Sequence, residues 1–175
     1  MNPLLISASL NPASNSRLLA LEAQRVLAAD GLAPAFLDLC DLSLPPCDGD
    51  AACRHPQAAR ARALNAGAGA IVAATPVYNY DANAALKNLV ELTGEAWEDK
   101  VVGFLCAAGS ERSYMSIMAL ASSLMLDFRC VIVPRFVYAT DAAFAGGRLR
   151  DPEIARRVAE CARAAVRLAW AVRNP

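Results

Sequence analysis

This chain has no charge surplus: 17 basic residues balance 17 acidic ones. A protein built to hold nucleic acid needs a basic excess to neutralise backbone phosphates, so that class is set aside. No apolar run approaches the length of a membrane span, and the N-terminal residues show no charged segment followed by a long apolar one. A membrane anchor and a secretory signal are therefore not expected, and the chain reads as soluble and cytoplasmic. Gly-x-Gly-x-x-Gly and Gly-Lys-Ser/Thr are both absent. That removes the dinucleotide fingerprint and the P-loop. Histidine occurs once, at His55, far from every motif discussed below. The six cysteines, at 40, 47, 53, 106, 130 and 161, form no close pair in sequence. Cys47, Cys53 and His55 share one loop, but their spacing fits no common zinc pattern and a fourth ligand is missing. No metal site is expected, and the thiols read as reduced. Cys106, Cys130 and Cys161 fall inside strand or helix patterns, where free cysteine behaves as a small core hydrophobe.

Hydrophobic residues make up 56% of the chain and charged residues 19%, which rules against disorder. At 175 residues the default is one domain spanning 1–175, with enough chain to bury a full core. Strand and helix patterns alternate throughout, with no repeat and no low-complexity linker. Strands are expected at 3–8, 34–39, 70–75, 101–106 and 130–133, the third stopped by Pro76 and the fifth by Pro134. Helices are expected at 16–29, 57–66, 82–93 and 112–126, with a loop over 43–55. A last helix opens at Asp151-Pro152, the acid as cap and proline at the first helical position. Its apolar face is Ile154, Val158, Cys161, Ala165 and Leu168, and its arginines read as a solvated surface.

Five strands alternating with helices predict an α/β fold: a three-layer, doubly wound parallel sheet. In the flavodoxin-like order 2-1-3-4-5, the first, third and fourth strands are neighbours. Ligands in such sheets bind beyond the carboxyl ends of the strands. Three unusual loops sit there.

The first loop, residues 9–17, runs Ser-Leu-Asn-Pro-Ala-Ser-Asn-Ser-Arg between a strand and a helix. The first N–H groups of a helix lack partners, and its dipole favours an anion there. Ser9, Ser14 and Ser16 add hydroxyl donors and Asn15 an amide. Hydroxyls in place of glycines suit a terminal phosphomonoester, although Ser14 or Ser16 could equally serve as a plain helix cap. The second loop, Pro76-Val77-Tyr78-Asn79-Tyr80-Asp81, is rigid at its start and aromatic in its middle, suited to lie beside a flat ring. Its tyrosines could instead be half-buried loop aromatics. The third loop, 107–113, offers Gly109 and Ser110 where a ring needs close backbone approach, or alternatively a plain turn with a serine cap. A phosphate clamp at one end and planar space at the other suit a mononucleotide such as FMN.

With these segments the chain resembles the NADPH-dependent FMN reductase family of flavodoxin-like proteins. The matching stretches are 7–20, Ser-Ala-Ser-Leu-Asn-Pro-Ala-Ser-Asn-Ser-Arg-Leu-Leu-Ala, and 75–88, Thr-Pro-Val-Tyr-Asn-Tyr-Asp-Ala-Asn-Ala-Ala-Leu-Lys-Asn. Weaker similarity continues through 107–113 and from Phe144 to Asp151. Ala8 and Asn11 stand where the family usually has Gly and Arg, and Val77 where Glu is frequent. The resemblance implies that Ser9, Ser14, Asn15 and Ser16, in the loop that includes Asn11, hold the FMN phosphate. It implies that Pro76, Val77, Tyr78 and Asn79 line the ring and ribityl chain, with Gly109 and Ser110 on the other side. It implies NADPH or NADH as electron donor and a small-molecule acceptor: free flavin, a quinone or an azo compound. Arg17 and Arg112 are candidates for the phosphates of the nicotinamide dinucleotide. No catalytic acid, base or nucleophile is expected, because a flavin carries its own chemistry.

Two alternatives stay open: a flavodoxin-type electron carrier, and a non-catalytic mononucleotide-binding protein. Helix 112–126 is apolar around much of its circumference and rich in methionine, and helix 82–93 carries Leu86, Leu89 and Val90. The resembling family commonly assembles through these helices. A homodimer, or a homotetramer built from two, is therefore expected, with Met118 or Leu89 near its centre.

Overall fold

The computed structural model describes residues 2–173. In chain order the elements are β1 (Leu4–Ser7), α1 (Asn15–Ala29), β2 (Ala35–Asp38), α2 (Pro56–Gly67), β3 (Ala70–Tyr78), β4 (Asp81–Ala82), α3 (Ala84–Thr93), β5 (Val101–Ala108), α4 (Met118–Phe128), β6 (Val131–Ile132), β7 (Val137–Thr140), β8 (Phe144–Ala145), β9 (Arg148–Leu149) and α5 (Pro152–Arg173). The sheet order is β2-β1-β3-β5-β6, all parallel, with β7 also parallel on β5 and β4 antiparallel on β3. This is the expected flavodoxin-like order, and it brings the ends of β1, β3 and β5 side by side.

Alternation along the strands builds two cores. Leu4 and Ile6 of β1, Ile71 and Ala73 of β3, and Val102, Phe104 and Cys106 of β5 face α2, α3 and α4. Leu5, Val72, Ala74, Val101 and Leu105 face α1 and α5. The central strands are buried on both sides, which is why they read as unbroken apolar runs. Gly103 lets α5 come close: a Cβ there would lie 2.9 Å from Cys161 Sγ. Burial pushes the thiols of Cys106 and Cys161 up to about 12 and that of Cys130 to about 11. These three are core side chains, as their positions in the pattern suggested. Among the described residues no helix is long and apolar enough to cross a membrane.

Several boundaries differ from the sequence reading. Pro76 does not end its strand, because β3 continues to Tyr78. Ala74 carbonyl accepts from Ala8 N–H on the β1 side. Pro76 has the same parity, so its missing N–H faces the side where β1 has already ended and no ladder bond is lost. Helix 112–126 begins only at Met118, after a short 3-10 turn at Glu111–Ser113. Ser116 N–H returns to Ser113 carbonyl and Met118 N–H to Met115 carbonyl, so tight turns replace the first helical turn. The fifth strand is shorter than expected: Pro134 and Arg135, the latter at φ 60, split the edge into β6 and β7. The β8–β9 hairpin was also unread, and it turns through Gly146 and Gly147 at φ 58 and 68.

Leu89 cannot sit at the centre of an interface, since it is 1% exposed and packed in the core with Leu86 and Val90. The outer side of α3 is instead polar, with Lys87 and Glu91 ion-paired on it.

Candidate functional site

Ser14 begins the site. Its backbone is extended, and its Oγ accepts from Arg17 N–H at 3.3 Å, capping α1. Ser16 Oγ lies 3.2 Å from Ser14 Oγ. Asn15 and Ser16 occupy the first helical turn, so their N–H groups have no acceptor within the helix. The loop before them is shaped by its own side chains. Ser9 Oγ accepts from Asn11 N–H at 3.1 Å, and Asn11 Oδ1 accepts from Ala13 N–H at 3.0 Å. Ser9 is 1% exposed and turned inward, so it builds the loop and does not line its mouth. Ser14 caps the helix, and the capped terminus opens onto a cavity.

That cavity has a volume of about 280 Å³. The first loop contributes Asn11, Ala13, Ser14, Asn15 and Ser16, the second Pro76, Val77 and Tyr78, and the third Ala107, Ala108 and Gly109. The three expected loops therefore converge. Asp141, which no sequence pattern singled out, supplies a further wall. It follows β7, the strand that went unread, and its Oδ1 accepts from Asn15 Nδ2 at 3.0 Å. A helix terminus and hydroxyl donors at one end, with small and apolar side chains at the other, can bind an anionic group attached to a flat one.

The second loop is a two-residue hairpin turn. Val77 pairs with Ala82 and Tyr78 with Asp81, and Asn79 and Tyr80 between them lie at φ 50 and 67. Left-handed backbone costs roughly 1–2 kcal/mol for a residue like Tyr80. Such strain concentrates at functional sites. Tyr78 and Tyr80 are both more than half exposed.

Asn83, another residue the sequence reading passed over, fixes the distance between the first two loops. It is 4% exposed. Its Nδ2 donates to Ala8 carbonyl at 2.7 Å, its Oδ1 takes the Thr75 hydroxyl at 3.1 Å, and it caps α3 through Leu86 N–H. Asparagine just before an apolar-periodic helix is a cap signature, and that signal was present in the sequence. The third loop is held similarly: Tyr138 hydroxyl donates to Ser110 carbonyl at 2.6 Å. Burial raises the Tyr138 phenol above its ordinary value.

Other expected residues lie outside the cavity lining. Asn79, Ser110 and Arg112 are exposed. Arg17 points elsewhere: its Nε bonds Asp38 Oδ2 at 2.6 Å. His55 caps α2, with Nδ1 accepting from Gln57 N–H. Two larger hollows exist. One of about 770 Å³ lies between α5 and the break before β7, lined by arginines that include Arg156, paired with Glu153 and Glu160. One of about 520 Å³ lies between loop 42–47 and α3. Neither gathers the loops after β1, β3 and β5 together, so size alone does not pick the site.

Known proteins agree with this geometry. A family described as NADPH-dependent FMN reductase matches residues 1–145. An NAD(P)H-dependent FAD/FMN reductase of Geobacillus thermodenitrificans is 31% identical over 142 residues, covering 79% of this chain and 77% of that protein. The fold matches an oxidoreductase from Corynebacterium diphtheriae (TM-score 0.72, 23% identity, 95% of this chain and 98% of that one). It also matches FerB, a flavoenzyme NAD(P)H:(acceptor) oxidoreductase from Paracoccus denitrificans (TM-score 0.77, 19% identity, 97% of each chain). From the matched span and the curated relative together, this chain belongs to the NADPH-dependent FMN reductase family.

Proposed function

We propose that this chain is an NAD(P)H-dependent oxidoreductase that uses FMN to pass hydride from NADPH or NADH to a second small-molecule acceptor, such as free flavin, a quinone or an azo compound. The observation that carries this reading is the convergence of three strand-end loops on one cavity, with a capped helix terminus at one wall. The residues present fit FMN: hydroxyls and free helix N–H groups match a phosphate dianion, and Val77, Tyr78 and Gly109 leave flat, largely apolar space. Family membership and the named activity of the Geobacillus relative support the same reaction. When bound, the flavin supplies the hydride-accepting and hydride-donating chemistry itself.

The chain's own residues supply position. Ser14, Ser16 and the Asn15 and Ser16 amides hold the phosphate. Ser9 and Asn11 shape the loop that presents them. Pro76, Val77, Tyr78 and Asn79 flank the ring on one side, and Gly109 and Ser110 border it on the other. Arg112, an exposed side chain of the third loop, would meet the dinucleotide phosphates. Arg17 can add to this only by leaving Asp38. The formal charge of zero disfavours an electron carrier that docks through an acidic face. A nicotinamide donor and six free thiols favour the cytoplasm.

The protein works as a dimer, or a tetramer of two dimers. Met115, Met118, Met125 and Leu126 are exposed on and before α4, and Tyr114 with them. A shallow hollow where Asp81 and Ala82 meet Ala119 and Ser123 joins this surface to the flavin-loop hairpin. A second copy seated on α4 would thus border the site.

The absorbance spectrum of purified protein with FMN added tests the cofactor. Oxidation of NADPH or NADH with and without acceptor separates enzyme from carrier. Donor and acceptor using one flavin face in turn give parallel double-reciprocal lines. A chain that binds FMN but oxidises neither nicotinamide overturns the reading.

A further inference from the structure

Cys47 and Cys53 lie in the loop between β2 and α2, with their sulfurs 3.9 Å apart. Both are half-buried, so small oxidants reach them. The other four cysteines differ. Cys106, Cys130 and Cys161 are buried, and Cys40 is engaged with Leu10 carbonyl.

The approach of the two thiols is built into the loop. Asp48 Oδ1 accepts from the N–H groups of Asp50 and Ala52, both at 2.9 Å, which folds the intervening segment back on itself. Gly49, at φ 78, takes the left-handed turn this fold-back needs. Both ends are then tied to α3. Cys47 N–H donates to Asn88 Oδ1 at 2.8 Å, while Asn88 Nδ2 donates to Pro45 carbonyl at 3.0 Å. Arg62 Nη2 bridges Cys53 carbonyl at 2.8 Å and Leu92 carbonyl at 2.6 Å. The sulfurs close from 3.9 Å to a bond of about 2.05 Å within a loop held on both sides.

We propose that Cys47 and Cys53 form a reversible intramolecular disulfide, a redox-responsive clasp on the loop that straps α3, with a peroxide as the oxidant. One thiolate attacks a peroxide oxygen. The O–O bond breaks, hydroxide leaves and is protonated to water, and the sulfur becomes a sulfenic acid. The second thiolate attacks that sulfur, the S–O bond breaks, and a second water leaves. Two thiols and one hydrogen peroxide give one disulfide and two waters. Two electrons pass from the sulfurs to the peroxide oxygens. Burial, with the Cys47 sulfur beside it, holds the Cys53 thiol above its ordinary value. A small thiol reverses the reaction. Cys47 also lines the 520 Å³ hollow beside Leu44 and Pro46, so the clasp sets the shape of that wall.

The test treats reduced full-length protein with hydrogen peroxide, blocks remaining thiols with iodoacetamide under denaturing conditions, and maps them by mass spectrometry. The expected result is an intact mass lower by about 2 Da before alkylation, the two hydrogens lost in disulfide formation. One peptide pair should join Cys47 to Cys53, and dithiothreitol should restore both thiols. Cys40→Ser should keep the bond, and Cys47→Ser and Cys53→Ser should each abolish it. Alkylation of both thiols after oxidation overturns the proposal. So do sulfinic or sulfonic acid at either position without a bond, pairing with Cys40, and a bond between two chains.

Discussion

Arg17 Nε donates to Asp38 Oδ2 at 2.6 Å, and the other oxygen of that carboxylate accepts from Cys40 N–H at 3.2 Å. An arginine in the first turn of α1 thus ties that helix to the end of β2. Asp38 is 6% exposed, so removing its partner leaves a nearly buried charge poorly compensated. Arg17→Ala should cost about 2–3 kcal/mol of stability in denaturant titration. Its ratio of KM for NADPH to KM for NADH should stay unchanged. Arg112→Ala should do the reverse, raising KM for the nicotinamide by about threefold or more through lost phosphate contact while stability holds. A shifted ratio in Arg17→Ala with Arg112→Ala silent would exchange the two roles.

The serine clamp can be separated from the helix cap. Ser14→Ala with Ser16→Ala removes two donors to a charged group, roughly 1.5–3 kcal/mol each, so FMN affinity should fall by at least about tenfold. Ser14→Asp keeps a good cap but sets a carboxylate against the phosphate. It should retain the melting temperature and lose more affinity than Ser14→Ala. Fluorescence titration with FMN, alongside thermal melts, reads both. Equal affinity in all three proteins would dismiss the phosphate assignment.

Asp141 already places a negative group beside the first turn of α1 through Asn15. An incoming phosphate has to share that corner with it. Asp141→Asn should bind FMN about threefold to tenfold more tightly, as loss of one nearby like charge in a partly screened site gives. The gain should shrink at high salt. Weaker binding would mean that the carboxylate accepts a bond from the cofactor.

The exposed α4 surface carries the prediction of oligomeric state. Leu126 is 85% exposed and Met118 40%. Light scattering at low micromolar concentration should report at least twice the 18.5 kDa chain mass. Met118→Glu should shift the population to monomer without loss of secondary structure, because the side chain is outside the core. A wild-type monomer would refute the assembly.

The parallel sheet and the three loops at its strand ends were legible in the sequence because both rest on local rules. Short unbroken apolar runs between helical periods read as buried parallel strands, and parallel strands put their following loops at one end. Ser14 as cap followed from the same short-range chemistry. What lay beyond local reach needed the third dimension. Pro76 sits inside β3 because a neighbouring strand ends early, which no window around Pro76 reveals. Asp141 faces Asn15 across 126 positions because β7 is laid beside β5. Arg17 turned to Asp38 because an almost buried carboxylate at the end of β2 outcompetes solvent for it. Leu89 entered the core because the sheet claimed that face of α3 first. Cys47 met Cys53 because Asp48 and Gly49 fold the loop and α3 holds both ends. Sequence determined which groups stand at the strand ends; packing decided which of them face the cavity and which are occupied with one another.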